Sequence, residues 1–329
     1  MDLAQIAKKL VAPGKGILAA DQSTGTMTKY LKAIGKKSTP ETRRNFRQLM
    51  FTTPEIEKFI SGVILYDETI RQKADNGKFL ATVLGEKGII PGIKVDLGKK
   101  DLPKHPGEKY ILGIDTLAER LAEYAKLGAK FAKWRAVFKV SDNTPSDALI
   151  DISSSDLGLY ALLAQEAGLV PIVEPEVLIE GKHTLDQSAM ATTRVLKKVF
   201  EKLEMYGADF KGLLLKPNWV HEGLDLKGEP SGDEVAKATL SALRHTVPDD
   251  VPGIVFLSGG DTPEDATKHL DAINVLGKDA PWELSFSFGR ALLNKALDAW
   301  QGKEENTEAA QQALYDQAAL DSLAREGKY

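Results

Sequence analysis

Residues 212–220 read GLLLKPNWV, a run of leucines that ends on Lys216 and is stopped by Pro217. A short apolar run bounded by glycine and proline reads as a buried strand. A lysine in such surroundings loses hydration, which disfavours the ammonium and lowers its pKa. That weakens a fold and suits chemistry. Upstream, Leu185 to Tyr206 forms the longest amphipathic helical pattern in the chain, and the same pairing of run and helix recurs from end to end. The other runs are GILAA (16–20), GVILY (62–66), GIKVD (92–96), FAKWRAV (131–137), VPIVEPE (170–176), GIVFLS (253–258) and ELSFSF (283–288). Eight strands alternating with helices predict a single (β/α)8 TIM barrel, one α/β domain over residues 1–329.

Helix starts support this frame. Asp115 precedes an apolar series at Leu117, Leu121 and Tyr124, and Ser155-Asp156 is expected to open a helix ending at Gly168. Thr262-Pro263-Glu264-Asp265 reads as an N-cap, a first-turn proline and acids at the positive end of the helix dipole. Extra helices are expected at Leu3 to Leu10, Ala291 to Trp300 and Thr307 to Arg325, with the segment from about residue 303 to 329 packed on the barrel as a helix and short tail.

Composition narrows the class. Apolar residues make up 43% and charged residues 27%, and the net charge is −4 with both signs mixed. No basic stripe of the kind that binds nucleic acid emerges. Cysteine is absent, which excludes disulfides, thiolate metal sites and a cysteine nucleophile. No segment reaches the ~18 apolar residues of a membrane span, and the N-terminus lacks a signal-peptide pattern. A cytoplasmic protein, or the mature form of an organelle protein, is the expectation.

In such barrels chemistry sits where strands end. That rim holds Asp21, Asp67, Glu68, Lys94, Asp96, Lys133, Arg135, Glu174, Glu176, Lys216, Ser258, Ser287 and Arg290. Residues two apart share a strand face, so Lys133 goes with Arg135, Glu174 with Glu176, and Lys94 with Asp96. Trp134, on the opposite face, is assigned to packing against helices. Three lysines in one partly dry mouth repel one another, which is expected to leave at least one as a neutral, nucleophilic amine. A single lysine at a strand end is ordinarily there to reach water; three with paired acids are not.

LSGGDTPED (257–265) is a strand, a glycine turn and a helix start, a form that admits a phosphate. SFGRALL (287–293) brings Arg290 to the neighbouring rim segment. These are the loops after strands seven and eight, where barrel phosphate sites commonly lie. The histidines show no metal-ligand spacing, and His245 and His269 are expected to be solvated helix residues. No metal or cofactor is therefore expected.

Taken in order, GILAADQSTGT, GVILYDETIRQKAD, GIKVD, FAKWR, VPIVEPE, LLLKPN, LSGG and SFGRALL resemble the class I, Schiff-base fructose-1,6-bisphosphate aldolases from about Ile6 to Tyr329. The resemblance implies reversible cleavage of fructose 1,6-bisphosphate to dihydroxyacetone phosphate and glyceraldehyde 3-phosphate, without metal. It implies that Lys216 forms the imine and that Glu174 is the acid/base at the carbinolamine. Glu176 shares that network, Lys133 tunes both, and Asp21 serves the C4 hydroxyl. Ser258, Gly259 and Arg290, with Ser287 beside them, would bind one phosphate; Lys94, Arg135 and Ser23 would meet the other end of the sugar. Relatives protonate the enamine with a C-terminal tyrosine, a role that falls to Tyr329 or to another group. A homo-oligomer, usually a tetramer, is also implied.

Gln22, Tyr30 and Asp261 depart from the family pattern and bear on phosphate binding and on the preference between bisphosphate and monophosphate sugars. Two other readings remain at this level: a related Schiff-base lyase or transaldolase acting on another sugar phosphate, and a silent barrel kept as a binding scaffold. Intact Lys216, Glu174, Asp21 and Lys133 speak against the scaffold, which has no need of buried charge.

Overall fold

The computed structural model describes residues 1–226, 228 and 230–329. Eight parallel strands close a barrel: β1 (Gly16–Ala19), β2 (Ile60–Leu65), β3 (Ile90–Lys94), β4 (Phe131–Phe138), β5 (Val170–Val177), β6 (Leu214–Leu215), β7 (Gly253–Phe256) and β8 (Glu283–Phe288). Each pairs with the next in sequence, and β8 closes on β1 through Ile17 opposite Ser287. Each of the eight expected runs overlaps one of these strands. β6 is the shortest, because a 3-10 turn occupies Phe210–Gly212 and Pro217 has no N–H to donate. Its ladder still reaches Lys216, whose N–H donates to the Val173 carbonyl at 2.8 Å.

The inward faces of the strands build two storeys. Near the strand starts, Ile17, Ala19, Ile64, Phe131, Ile172, Leu214 and Val255 cluster with Ile6, Ala7, Leu10 and Val11, so the helix Leu3–Leu10 plugs that end. Phe131 fills the barrel axis so closely that a Cβ on Gly92 would lie 2.3 Å from its ring. Two residues on, the same faces carry Asp21, Lys133, Glu174 and Lys216, since the pleat repeats every second residue. The fold thus sets a charged storey directly above an apolar one.

Outer faces pack on the surrounding helices, and Trp134 meets Tyr160 there with ring centroids 5.8 Å apart. The helices Leu185–Tyr206, Leu3–Leu10 and Thr307–Arg325 have the expected bounds. The helix expected from Ser155 instead spans Asp147–Glu166 and starts at Ser146, whose side chain accepts from the Leu149 N–H. Ser153 and Ser154 are buried inside it, and Gly158 lets it approach the next helix, where a Cβ would stand 3.0 Å from the Lys202 carbonyl oxygen. His269 is also corrected: it is buried, beside Trp219 and His221, while His245 is exposed as expected. An antiparallel hairpin of Lys99–Asp101 and Lys109–Ile111 between β3 and β4 was unforeseen.

The helix Thr307–Arg325 lies against Pro263–Leu276 and Arg290–Trp300. Arg325 at its end donates to the carbonyls of Val11 (2.6 Å), Lys15 (3.0 Å) and Leu284 (2.9 Å), and pairs with Glu283. Earlier in the helix, buried Asp321 approaches the Thr267 hydroxyl at 2.7 Å, while that hydroxyl also lies 2.7 Å from the Pro263 carbonyl. One hydroxyl proton cannot serve both acceptors. Burial pushes the Asp321 carboxyl up to about 7, and a proton on it would satisfy both contacts. The stabilising effect of that raised pKa is full below the unfolded value near 3.8 and is lost as pH rises through about 7. Asp321→Asn is therefore expected to be more stable than the parent at pH 8, by on the order of 2 kcal/mol. The difference should shrink towards zero at pH 4, as thermal unfolding at the two pH values will show.

Candidate active site

The charged storey opens into a cavity of about 810 Å3 at the strand ends. At its floor the Lys133 ammonium bridges two acids, 2.7 Å from Asp21 Oδ2 and 2.9 Å from Glu174 Oε2. The other Glu174 oxygen, Oε1, lies 3.2 Å from Lys216 Nζ. The side chains of Lys133, Glu174 and Lys216 are at most 5% exposed.

Electrostatics follow from this geometry. Burial acts upward on Asp21, but Lys133, Lys216 and Lys94 outweigh it and bring its carboxyl down to about 2. Burial likewise acts upward on Glu174 and is overcome by Lys133, Lys216 and Arg135, so that Glu174 is held below its usual range. On Lys133 burial acts downward and loses to Asp21, Glu174 and Asp96, which raise it well above an ordinary lysine. The expected mutual repulsion of the lysines therefore does not govern Lys133: interleaved carboxylates turn it into a fixed cation.

Neighbouring elements hold this floor in place. The buried Arg47 guanidinium donates to the Gln22 carbonyl at 2.7 Å, and the Gln22 amide donates to the Ala19 carbonyl, so the turn bearing Asp21 is fastened on both sides. Asn218 accepts from the Val177 N–H at 2.7 Å and ties the end of β5 to the segment after Lys216. Further up the wall, Arg135 pairs with Glu176, and Lys94 lies 2.6 Å from Asp96.

On the other side Ser258, Gly259, Ser287, Gly289 and Arg290 line the cavity together. Gly259 has φ +57°, which a side chain rarely adopts, and the Ser287 hydroxyl is buried with no protein partner among the described residues. Gly289 precedes the helix Arg290–Trp300 without a side-chain cap, so that helix presents free N–H groups. Ser23, at the start of the helix Thr24–Ala33, faces the same space.

Every expected site residue but Tyr329 is on this wall, and of the other rim residues Glu68 is turned instead to Arg43 and Arg47. Tyr329 is half exposed on the face of the strand starts, with its N–H donating to Asp271 at 2.9 Å, and it does not line the cavity. The direction of the helix Thr307–Arg325, fixed by the Arg325 clamp, carries it there. Of the three departures, Tyr30 is a wall residue and Gln22 makes the backbone bond above. Asp261 does not line the cavity and lies 3.1 Å from His269. Thr26, Lys99 and Arg120 also line the cavity and were not singled out from sequence; Lys99 comes from the unforeseen hairpin. Among the described residues no group of three or more His, Asp or Glu side chains is arranged to hold a metal ion, and no helix is long and apolar enough to cross a membrane.

A closed parallel barrel whose mouth buries lysines against carboxylates, with a glycine turn and an arginine for an anion, has the make-up of an imine-forming lyase acting on phosphorylated substrates. Comparison with known proteins gives the same class. The family model described as fructose-bisphosphate aldolase class-I matches residues 2–329. Fructose-bisphosphate aldolase 1 of Caenorhabditis elegans is 49% identical over 331 residues, covering 100% of this chain and 90% of the relative. Cytosolic fructose-bisphosphate aldolase 4 of Arabidopsis thaliana is 46% identical, covering 96% and 81%. A crystal structure of fructose-bisphosphate aldolase from Plasmodium falciparum, in complex with TRAP and a small-molecule inhibitor, superposes with a TM-score of 0.98 at 45% identity, covering 99% of this chain and 94% of that one. The chain belongs to the class I fructose-bisphosphate aldolase family.

Removing Lys133 leaves two buried carboxylates without their shared cation. Lys133→Met is expected to lose roughly 3–5 kcal/mol of stability. Urea unfolding at pH 7 will measure it, and a loss below ~1 kcal/mol would mean that water already compensates these acids.

Proposed function

We propose that Lys216 is the residue through which this lyase forms its Schiff base. The chain reversibly cleaves fructose 1,6-bisphosphate, a reaction of glycolysis and gluconeogenesis, through a lysine imine. The observation that supports Lys216 is its nitrogen 3.2 Å from a carboxylate oxygen of Glu174, with both side chains at most 5% exposed at the floor of the mouth. In this reading Glu174 takes a proton from the incoming amine and returns one to the carbinolamine oxygen, which leaves as water. Lys133 stays protonated and keeps Glu174 and Asp21 in register.

The imine then provides the electron sink. As the C3–C4 bond breaks, its electrons pass through C3 and C2 to the iminium nitrogen and form an enamine, a step that a carbonyl alone would make far harder. The C4 hydroxyl must lose its proton as it becomes an aldehyde. Asp21, ionised before the step because its carboxyl sits at about 2, is the acceptor proposed for it. The hydroxyl grows strongly acidic as the bond breaks, which lets so weak a base take the proton. Glu174, beside the amine, supplies the negative charge proposed to face the iminium, and Glu176, paired with Arg135, belongs to the same network.

Ser258, Gly259 and Arg290, with Ser287, are proposed for one phosphate, and Lys94, Arg135 and Ser23 for the other end of the sugar. Tyr329 as placed takes no part in these steps. We further propose a cytosolic location, which the name of the Arabidopsis relative supports, and assembly into a homo-oligomer, to be measured by sedimentation.

Borohydride added with fructose 1,6-bisphosphate should reduce the imine and leave a sugar-phosphate adduct on Lys216, visible by peptide mass. Lys216→Met should form none and lose at least about 10³-fold in kcat. An adduct on Lys133 or Lys94 instead would reassign the nucleophile. A chelator should leave the rate unchanged, since the imine supplies the charge that a metal would otherwise bring to the carbonyl.

A further inference from the structure

The mouth is crowded with cations, yet nearly all are already matched. Lys133 and Lys216 face Asp21 and Glu174, Arg135 faces Glu176, Lys94 faces Asp96, and Arg71 faces Asp67 and Glu123. Arg120 directs its guanidinium to the carbonyls of Val95 and Gly113, at 2.6 and 2.5 Å. Among the described residues, the two lining cations left with neither a carboxylate nor a carbonyl partner are Arg290 and Lys99. Arg290 follows β8, and Lys99 stands between β3 and β4, across the barrel in the closed strand order. Two unmatched cations on opposite walls suit a substrate with an anion at each end.

Chain chemistry says which end is which. The imine forms at C2, so the phosphate on O1 lies one carbon from Lys216 and that on O6 four carbons away in the other direction. Lys216 is joined to the Ser258 side, for the Leu257 N–H donates to the Pro217 carbonyl at 3.0 Å. The O6 phosphate is therefore directed to the far wall, where Lys99 and Arg135 stand.

The arm that bears Lys99 is fixed at both ends. At its base Arg120 bonds the end of β3 to Gly113. At its tip buried Glu108 accepts from the N–H (2.7 Å) and hydroxyl (2.5 Å) of Ser146, the cap of the helix Asp147–Glu166. Lys99 pairs with Ile111 across the hairpin, and both line the cavity; Lys100, next along the strand, does not. Around Lys99 stand Arg135, Lys109, Glu176 and Glu180; partial burial and then the Arg135 charge lower its pKa, a strain that a bound anion would relieve.

We propose that Lys99 is a specificity-determining residue: its ammonium receives the phosphate on O6 and so sets the preference for a sugar bisphosphate over a sugar 1-phosphate. This inference rests on the assignment of the imine to Lys216, which orients the sugar.

The test is the ratio of kcat/KM for fructose 1,6-bisphosphate to that for fructose 1-phosphate, which lacks the O6 phosphate. In Lys99→Met the ratio should fall roughly tenfold, through the KM of the bisphosphate, as expected for one charge-assisted contact. Lys99→Arg should restore it, and Lys100→Met should keep the parental ratio. An unchanged ratio in Lys99→Met, or an equal fall in Lys100→Met, overturns the role of Lys99. A parent that yields a borohydride adduct but shows no change on losing Lys99 refutes this inference alone; a parent that yields none refutes the imine as well.

Discussion

The Lys133 ammonium, shared between Asp21 and Glu174, is the contact on which the rest of the mouth depends. Glu174 is buried and the Asp21 side chain is only 12% exposed, and a buried charge without a partner costs several kcal/mol. One cation placed between them offsets both and fixes their separation. Glu174 is left with a second oxygen free to face Lys216. Lys133 is thus a fixed cation at the floor of the mouth: the surrounding carboxylates raise its pKa, and its charge in turn helps to keep them ionised.

The barrel makes this arrangement possible through the two-residue pleat. Phe131 and Lys133 point inward from one strand, Ile172 and Glu174 from another, Leu214 and Lys216 from a third. Packing of the first member of each pair fixes the height of the second. The apolar storey therefore acts as a ruler for the charged one, and a shift in strand register would move lysines and acids out of reach together.

Much of this was legible in the chain. Eight apolar runs bounded by turn residues gave the strands, and period-2 spacing identified the residues that share the mouth. What the spacing could not give is which acid meets which lysine, since that follows from how β4, β5 and β6 register beside the turn after β1. The hairpin was hidden for a different reason: KKDLPKHPGEKY shows no apolar alternation, and its pairing is held from outside by Arg120 and by Ser146, which donates to Glu108. Ser155-Asp156 looked like a helix start because small polar residues favour caps, whereas both lie inside the helix Asp147–Glu166, which is capped at Ser146 and approaches Leu185–Tyr206 closely at Gly158. His269 was expected to be a solvated helix residue, but Trp219 and Asp261, from other parts of the chain, cover it.

The Arg325 clamp also imposes an order in time. Its guanidinium gathers carbonyls from the segments that lead into the first and last strands, so it fastens the seam where the sheet meets itself. During synthesis β1 leaves the ribosome with one edge unpaired and waits for β8, and the fastener emerges later still. For most of translation the nascent sheet is an open ribbon with two bare edges, a form prone to pairing with other chains and a natural client for chaperones.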